Sequence, residues 1–207
     1  MIMKIEDFSF NYKSNVIFDR VNFYFEDKQI NFVLGENGSG KTTLLDLIAD
    51  VDSTRPKNFV GFPPPAQIAY LSQGNNFNDE LTVNDILKFL PQLTDVNKFK
   101  TPAVIKKLKN VKFGDLSGGE RRIVLVFINI VIERELYIFD EPETGIDLKQ
   151  SQEIFVWLRE LVERGKTVII TTHKLDNISD IDNVNYIKNE QEVLVDNFLK
   201  VKSRMAF

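Results

Sequence analysis

The chain has 207 residues, 43% of them hydrophobic, and a formal net charge of -4, enough apolar material for a real core in one large domain or two small ones. The acidic balance argues against a surface that grips nucleic acid along its whole extent, so no nucleic-acid partner is expected. Cysteine is absent and histidine occurs once, which excludes disulfide frameworks, thiolate nucleophiles and multi-histidine metal clusters and fits a reducing cytoplasm.

The opening "MIMKIEDFSF" meets acidic residues almost at once and has no uninterrupted apolar core of the kind a secretory signal needs, so the product is expected to stay inside the cell. From Lys4 to Leu34 the pattern is strand-like, with Val21, Phe23 and Phe25 alternating and "QINFVL" leading into the glycine-rich "GENGSGKTT". The next stretch, "KTTLLDLIAD", sets Leu44, Leu45, Leu47 and Ile48 at helical spacing, so the glycine loop joins a strand to a helix. "GFPPP" excludes helix and central strand, and "QIAYLSQ" then reads as a buried strand ending at Gln73. Between Gln73 and Gly114 a more polar insertion holds two expected short helices, "TVNDILKFL" and "TPAVIKKLKN". "SGGERRIVLVFINIVIERE" reads as a largely buried helix, "LYIFDEP" and "KTVIITTH" as core strands, and "LKQSQEIFVWLRELVERG" as an amphipathic helix closed by Gly165. The longest apolar run, "IVLVFINIVI", is far short of the ~20 residues that span a bilayer. The tail "VNYIKNEQEVLVDN" reads as a hairpin followed by a short exposed end. Alternating strand and helix predicts an α/β fold with a parallel core sheet, an N-terminal antiparallel β region and a short helical insertion.

Four features carry chemistry. "GENGSGKT" matches the phosphate loop G-x-x-x-x-G-K-[ST], in which backbone N–H groups turn toward one anion. Gly35, Glu36, Asn37, Gly38, Ser39 and Gly40 form the cradle at a helix N-terminus, Lys41 adds a point charge near the β- and γ-phosphates, and Thr42 offers a hydroxyl to Mg²⁺ with Thr43 beside it. "LYIFDEP" ends an apolar run on two acids. Beside a phosphate loop, Asp140 is assigned to the metal, directly or through water, and Glu141 to the attacking water as its base. "LSGGE" supports two readings at once: a capping box with Ser117 as N-cap and Glu120 three residues on, or a helix start that turns Ser117, Gly118 and Gly119 toward a phosphate. Both hold if that helix end faces outward. His173 is either a structural histidine or a γ-phosphate sensor, and its place at a strand's carboxyl end, where open α/β sheets bind ligands, favours the sensor.

In this order, "GENGSGKTT", "YLSQ", "LSGGERR", "LYIFDEP", "ETGID" and "TTHK" resemble the nucleotide-binding domain of the ABC ATPases over nearly the whole chain. The resemblance implies a P-loop NTPase domain: an antiparallel β region and lead-in strand (1–34), the phosphate loop to Gln73 (35–73), a helical insertion (74–115), and the signature, acidic strand, histidine switch and hairpin (116–207). It implies ATP and Mg²⁺ as cofactors and a homo- or heterodimer in which each nucleotide lies between one protomer's phosphate loop and the other's signature. It places Tyr12 against adenine, with Phe10 as the nearest alternative, Gln73 at Mg²⁺ and the water, and Asp147 at the protomer contact, although Asp147 serves equally well as a helix cap. Glu143 and the Gly145-Ile146 pair depart from the small hydroxyl and Ala-Leu residues common in the family, and the insertion is short.

The function implied is that of the ATP-hydrolysing subunit of an ABC transporter, peripheral on the cytoplasmic face of the membrane under separate transmembrane permease chains. The alternative is a soluble ABC ATPase of the iron–sulfur assembly, repair or translation type. The long coiled coil of the repair type has no counterpart here, because sustained heptads are lacking between "YLSQ" and "LSGGE". A regulatory cassette that binds ATP without turning it over is disfavoured by the presence of Glu141 and His173.

Overall fold

The computed structural model describes residues 2–51, 55–74, 77–96 and 99–205. The chain opens with two long antiparallel strands, β1 (Ile2–Tyr12) and β2 (Asn15–Glu26), joined by a tight turn. Two-residue β4 (Phe59–Val60) pairs with β1 and completes a three-stranded sheet in the order β2-β1-β4. The second sheet runs β5-β6-β7-β3-β8-β9, built from β3 (Ile30–Gly35), β5 (Ile68–Leu71), β6 (Leu136–Asp140), β7 (Thr167–Thr171), β8 (Asn183–Asn189) and β9 (Glu192–Asn197). The neighbours from β5 to β8 are parallel, and β9 closes the edge as an antiparallel hairpin with β8.

Strands covered on both faces need apolar residues on both, which is why β6 and β7 read as near-continuous hydrophobic runs and are buried at every position. Alternation then sorts their side chains. Phe32, Tyr137, Phe139, Val168 and Ile170 point into one cluster, shared with α4 (Gly118–Val131) and α5 (Leu148–Glu163). Val33, Leu136, Ile138 and Ile169 point into the other, shared with α1 (Lys41–Ala49) and with Phe18, Phe23 and Phe25 of β2. The antiparallel sheet is therefore a lid on α1, continuous with its core, and its aromatic rings interlock, as in the edge-to-face pair Phe18–Phe23 at 5.5 Å.

The insertion contains α2 (Val83–Leu93) and α3 (Ala103–Leu108), where two short helices are expected. α2 begins with a capping box between Thr82 and Asp85 and carries Pro91 near its end, and Ile86, Leu90, Ile105 and Phe113 fix the insertion to the α4 side of the core. The chain after the hairpin differs from expectation. It is α6 (Phe198–Lys202), and Phe198 and Val201 are buried in the core; the alternation rule used for the hairpin cannot register a short helix that tucks two apolar residues under the sheet.

Candidate functional site

Parallel strands deliver their carboxyl ends to one edge of the sheet, and the chemistry-bearing residues collect there. β3 ends at Gly35, and the chain loops into α1 through Gly40, whose backbone is left-handed (φ 94°). A Cβ at Gly40 would lie 2.5 Å from Ile17 Cγ2 and 2.8 Å from Phe18 Cζ, so glycine is required both for the turn and for its close approach to β2.

Lys41 is buried, and its ammonium donates to the carbonyls of Gly35 (2.9 Å) and Glu36 (2.8 Å). Two of its three protons are so occupied, with the group fixed at the rim of the loop. Burial lowers its pKa, opposed by the charges of Glu141 and Asp140. Asp140 closes β6 and is held from two sides: Thr42 donates to Oδ2 (2.7 Å) and Thr171 to Oδ1 (2.6 Å). Glu141 follows in a left-handed conformation (φ 48°), and its N–H donates to Thr171 Oγ1 (2.9 Å). Its Oε1 lies 2.6 Å from His173 Nε2, and its Oε2 accepts from Thr144 (3.1 Å).

Two clefts meet at this edge. One, of about 450 Å³, is lined by Ile17, Asn37, Gly38, Gly40, Lys41, Thr42, Thr43, Gln73 and Glu141. The other, of about 310 Å³, is lined by Gly118, Arg121, Arg122, Leu125 and Thr144, and shares Gln73 and Glu141 with the first. Gly35 and Glu36 sit behind the loop as acceptors for Lys41, and the Ser39 hydroxyl is buried without a hydrogen-bond partner. Ser117 and Glu120 form the expected capping box, with the Ser117 N–H donating to Glu120 Oε2 (2.9 Å), while Ser117 and Gly118 are exposed at an outward-facing helix start. Gly119 lies against the 143–146 turn, where an added Cβ would sit 3.2 Å from the Gly145 carbonyl. Asp147 caps α5 by accepting from the Gln150 N–H (2.7 Å). Tyr12 stands at the turn end of β1 opposite Asn15, 66% exposed, and it is Ile17 of the same hairpin that lines the cleft.

Arg122 is the participant that sequence reasoning missed. Its guanidinium is buried and donates to four backbone carbonyls: Ser72 (3.2 Å), Asp140 (2.5 Å), Glu141 (2.9 Å) and Pro142 (3.3 Å). One side chain thus ties the signature helix to the acidic turn and to the residue before Gln73. The available signal was a charge on the buried stripe: Arg122 shares a helix face with Leu125 and Val126, where a cation persists only if it is fully partnered. Thr171, bonded to both acidic residues, carried no signal beyond its place in an apolar strand.

A family model described as ABC transporter matches residues 18–144, more than half of the chain. An ABC transporter ATP-binding protein of Methanocaldococcus jannaschii is 26% identical over 216 residues, covering 99% of this chain and 81% of that protein. The energy-coupling factor transporter ATP-binding protein EcfA1 of Thermotoga maritima is 28% identical over 205 residues, covering 91% and 79%. Other relatives are longer: the chain spans 56% of the Nod factor export ATP-binding protein I of Neorhizobium galegae. Among solved structures, an ATP-binding subunit of an ABC transporter shares the fold with a TM-score of 0.78 at 18% identity, over 99% of this chain and 93% of that one. A dimeric bacterial ABC transporter cassette does so with a TM-score of 0.73 at 19% identity, over 95% and 98%. The resemblance carried by the motifs is thereby borne out, and the chain belongs to the ABC transporter family as an ATP-binding, ATP-hydrolysing cassette.

Proposed function

We propose that this cassette powers transport by closing on ATP against a second cassette, on the cytoplasmic face of a membrane and beneath separate spanning chains. The observation that carries the reading is the Glu141–His173 contact of 2.6 Å beside the Thr42–Asp140 contact of 2.7 Å, with Glu141 and Thr42 lining the cleft at the phosphate loop. The reading is supported by relatives named as ATP-binding proteins of transporters and by a dimeric cassette of the same fold. Among the described residues no helix is long and apolar enough to cross a membrane.

In this reading the loop N–H groups from Asn37 to Thr43 and the third Lys41 proton receive the β- and γ-phosphates. The partnerless Ser39 hydroxyl fits a loop built to meet an anion. Mg²⁺ suits the donors present, since the Thr42 hydroxyl, the Asp140 carboxylate and the Gln73 amide are hard oxygen ligands. Among the described residues no group of three histidine or carboxylate side chains could hold a metal alone, which suits an ion completed by phosphate oxygens and water. When bound, the ion supplies charge neutralisation on the phosphates. Glu141 accepts the proton of the water that attacks the γ-phosphorus, as the bond to the bridging oxygen breaks and ADP leaves. His173 holds the Glu141 carboxylate and senses the γ-phosphate.

The outward-facing Ser117, Gly118 and Gly119, with the Glu120 that caps them, meet the partner's nucleotide. Asp147 lies at the protomer contact and exposed Tyr12 offers its ring to adenine. The 74–115 insertion faces the spanning chains as one functional segment, between the 1–34 and 35–73 segments on one side and 116–207 on the other. Closure performs work because ATP contacts both halves and its products do not hold them equally, a differential affinity between two states.

The Glu141→Gln variant tests the site: MgATP-dependent dimerisation, followed by light scattering, persists while turnover drops about 10²-fold or more. Normal hydrolysis in that variant overturns the assignment of the base. Purification from solubilised membranes tests the transport role, which predicts a polytopic chain in the complex.

A further inference from the structure

Glu143 is a carboxylic acid that the ATP chemistry leaves unused. It is 2% exposed and lies two residues after Glu141. Its Oε1 is hydrogen-bonded to Thr172 Oγ1, and its Oε2 is buried without a partner. Thr172 immediately precedes His173 and accepts from the Lys174 N–H (2.9 Å), with the Lys174 carbonyl 3.4 Å from its hydroxyl. The Glu143–Thr172 bond is thus a second, buried crosslink between the same two loops that bring His173 to Glu141.

The surroundings bias the proton of this link. Burial pushes the Glu143 carboxyl up, the Thr172 bond, its own backbone N–H and the Lys174 charge pull it down, and Glu141 pushes it up again; Arg122 adds a cation behind the turn. In the neutral form the Glu143 O–H donates to Thr172 Oγ1, whose own proton is then free for the Lys174 carbonyl. In the ionised form Thr172 donates to Oε1, and Oε2 is buried without a hydrogen-bond partner.

We propose that Glu143 is a positioning residue whose bond to Thr172 holds the His173 loop in register with Glu141, and so sets the rate of hydrolysis without touching the nucleotide. The inference rests on the reading of Glu141 as the base. A side chain that merely filled space could be leucine, whereas a register-setting contact needs a polar group at this site.

Steady-state hydrolysis by the full chain, with its partner supplied if turnover requires it, tests the proposal in Glu143→Leu, Glu143→Gln and Thr172→Val. Glu143→Leu and Thr172→Val are expected to lower kcat about tenfold or more, the loss typical of a misplaced catalytic group, with KM for ATP little changed. The double variant is expected to be no worse than either single one. Glu143→Gln, which keeps a hydrogen-bonding group at this site, is expected to hold kcat near that of the parent. Should Glu143→Leu fail to fold, Thr172→Val deletes the same bond with an isosteric side chain. Unchanged kcat in Thr172→Val, or a glutamine variant as impaired as leucine, overturns the proposal. The two ideas fail separately: an active Glu141→Gln sinks the base assignment, whereas an inactive Glu141→Gln beside a fully active Thr172→Val sinks only the role of Glu143.

Discussion

The sheet edge at the phosphate loop and the helical insertion are held by different kinds of force. At the edge, hydrogen bonds join residues far apart in the chain: Thr42 to Asp140 across 98 positions, Arg122 to Ser72 across 50, and Thr171 to Asp140 across 31. Within the insertion they are mostly internal, as from Val83 N to Val111 O (3.1 Å), Asn84 N to Lys109 O (2.8 Å) and Phe113 N to Leu81 O (2.8 Å). Its attachment to the body is chiefly apolar, through residues such as Ile86, Ile105 and Phe113, supplemented by Glu133 N to Asp95 O (2.9 Å). Directed bonds fix angles and distances, whereas apolar contact fixes area and tolerates small rotations. Directed bonds hold the atoms of the edge, and apolar contact holds the insertion to the body.

The largest test of this contrast is Arg122→Ala. It strips a buried cation from four carbonyls drawn from two loops, and an expected loss of about 3–5 kcal/mol in urea unfolding follows from breaking so buried a charged network. Turnover should fall with it, because the acidic turn and Gln73 lose their common anchor. A loss confined to a few tenths of a kcal/mol would show that the edge does not depend on these bonds. Phe113→Ala should cost somewhat less, about 3 kcal/mol as a buried aromatic deletion, and should act locally. Hydrogen exchange is expected to accelerate across the described part of 77–115 while β6 and β7 keep their protection. Equal loss of protection in both regions would mean that the two are a single unit.

The smallest effect is a pH dependence. The folded-state pKa of Glu143 lies above its ordinary value of 4.5, chiefly through burial. A raised carboxyl pKa contributes stability that is complete below 4.5 and is lost as pH rises through the folded value. Glu143→Gln should therefore gain on the parent in melting temperature as pH rises, and the gap should close toward pH 4.5. A gap independent of pH would remove Glu143 from the titrating groups of the fold.

Much of the molecule is readable before any coordinates because its central features are local. β3, β6 and β7 announce themselves as apolar runs, α4 and α5 by their periodicity, and the phosphate loop by glycines that no strand or helix would keep. What escaped is relational. Nothing near Thr171 says that its hydroxyl meets Asp140 and the Glu141 N–H, and nothing near Glu143 says that Thr172, 29 positions on, is its partner. β4 is two residues long and has no pattern of its own; it is a strand because β1 leaves an edge for it. Tyr12 is placed against adenine by the family resemblance alone; it stands exposed at the hairpin end, and Ile17 of the same hairpin lines the cleft.

The left-handed backbone at Glu141 bears on how such a chain evolves. A glutamate is ill at ease there by about 1 kcal/mol, whereas glycine or asparagine would be relaxed. With Glu141 as the proposed base, drift toward a sturdier fold would point away from activity at this codon, and keeping the acid would need continuing selection. A descendant that gave up hydrolysis and kept only nucleotide binding would be released from that conflict and become more heat-resistant by the very change that silenced it.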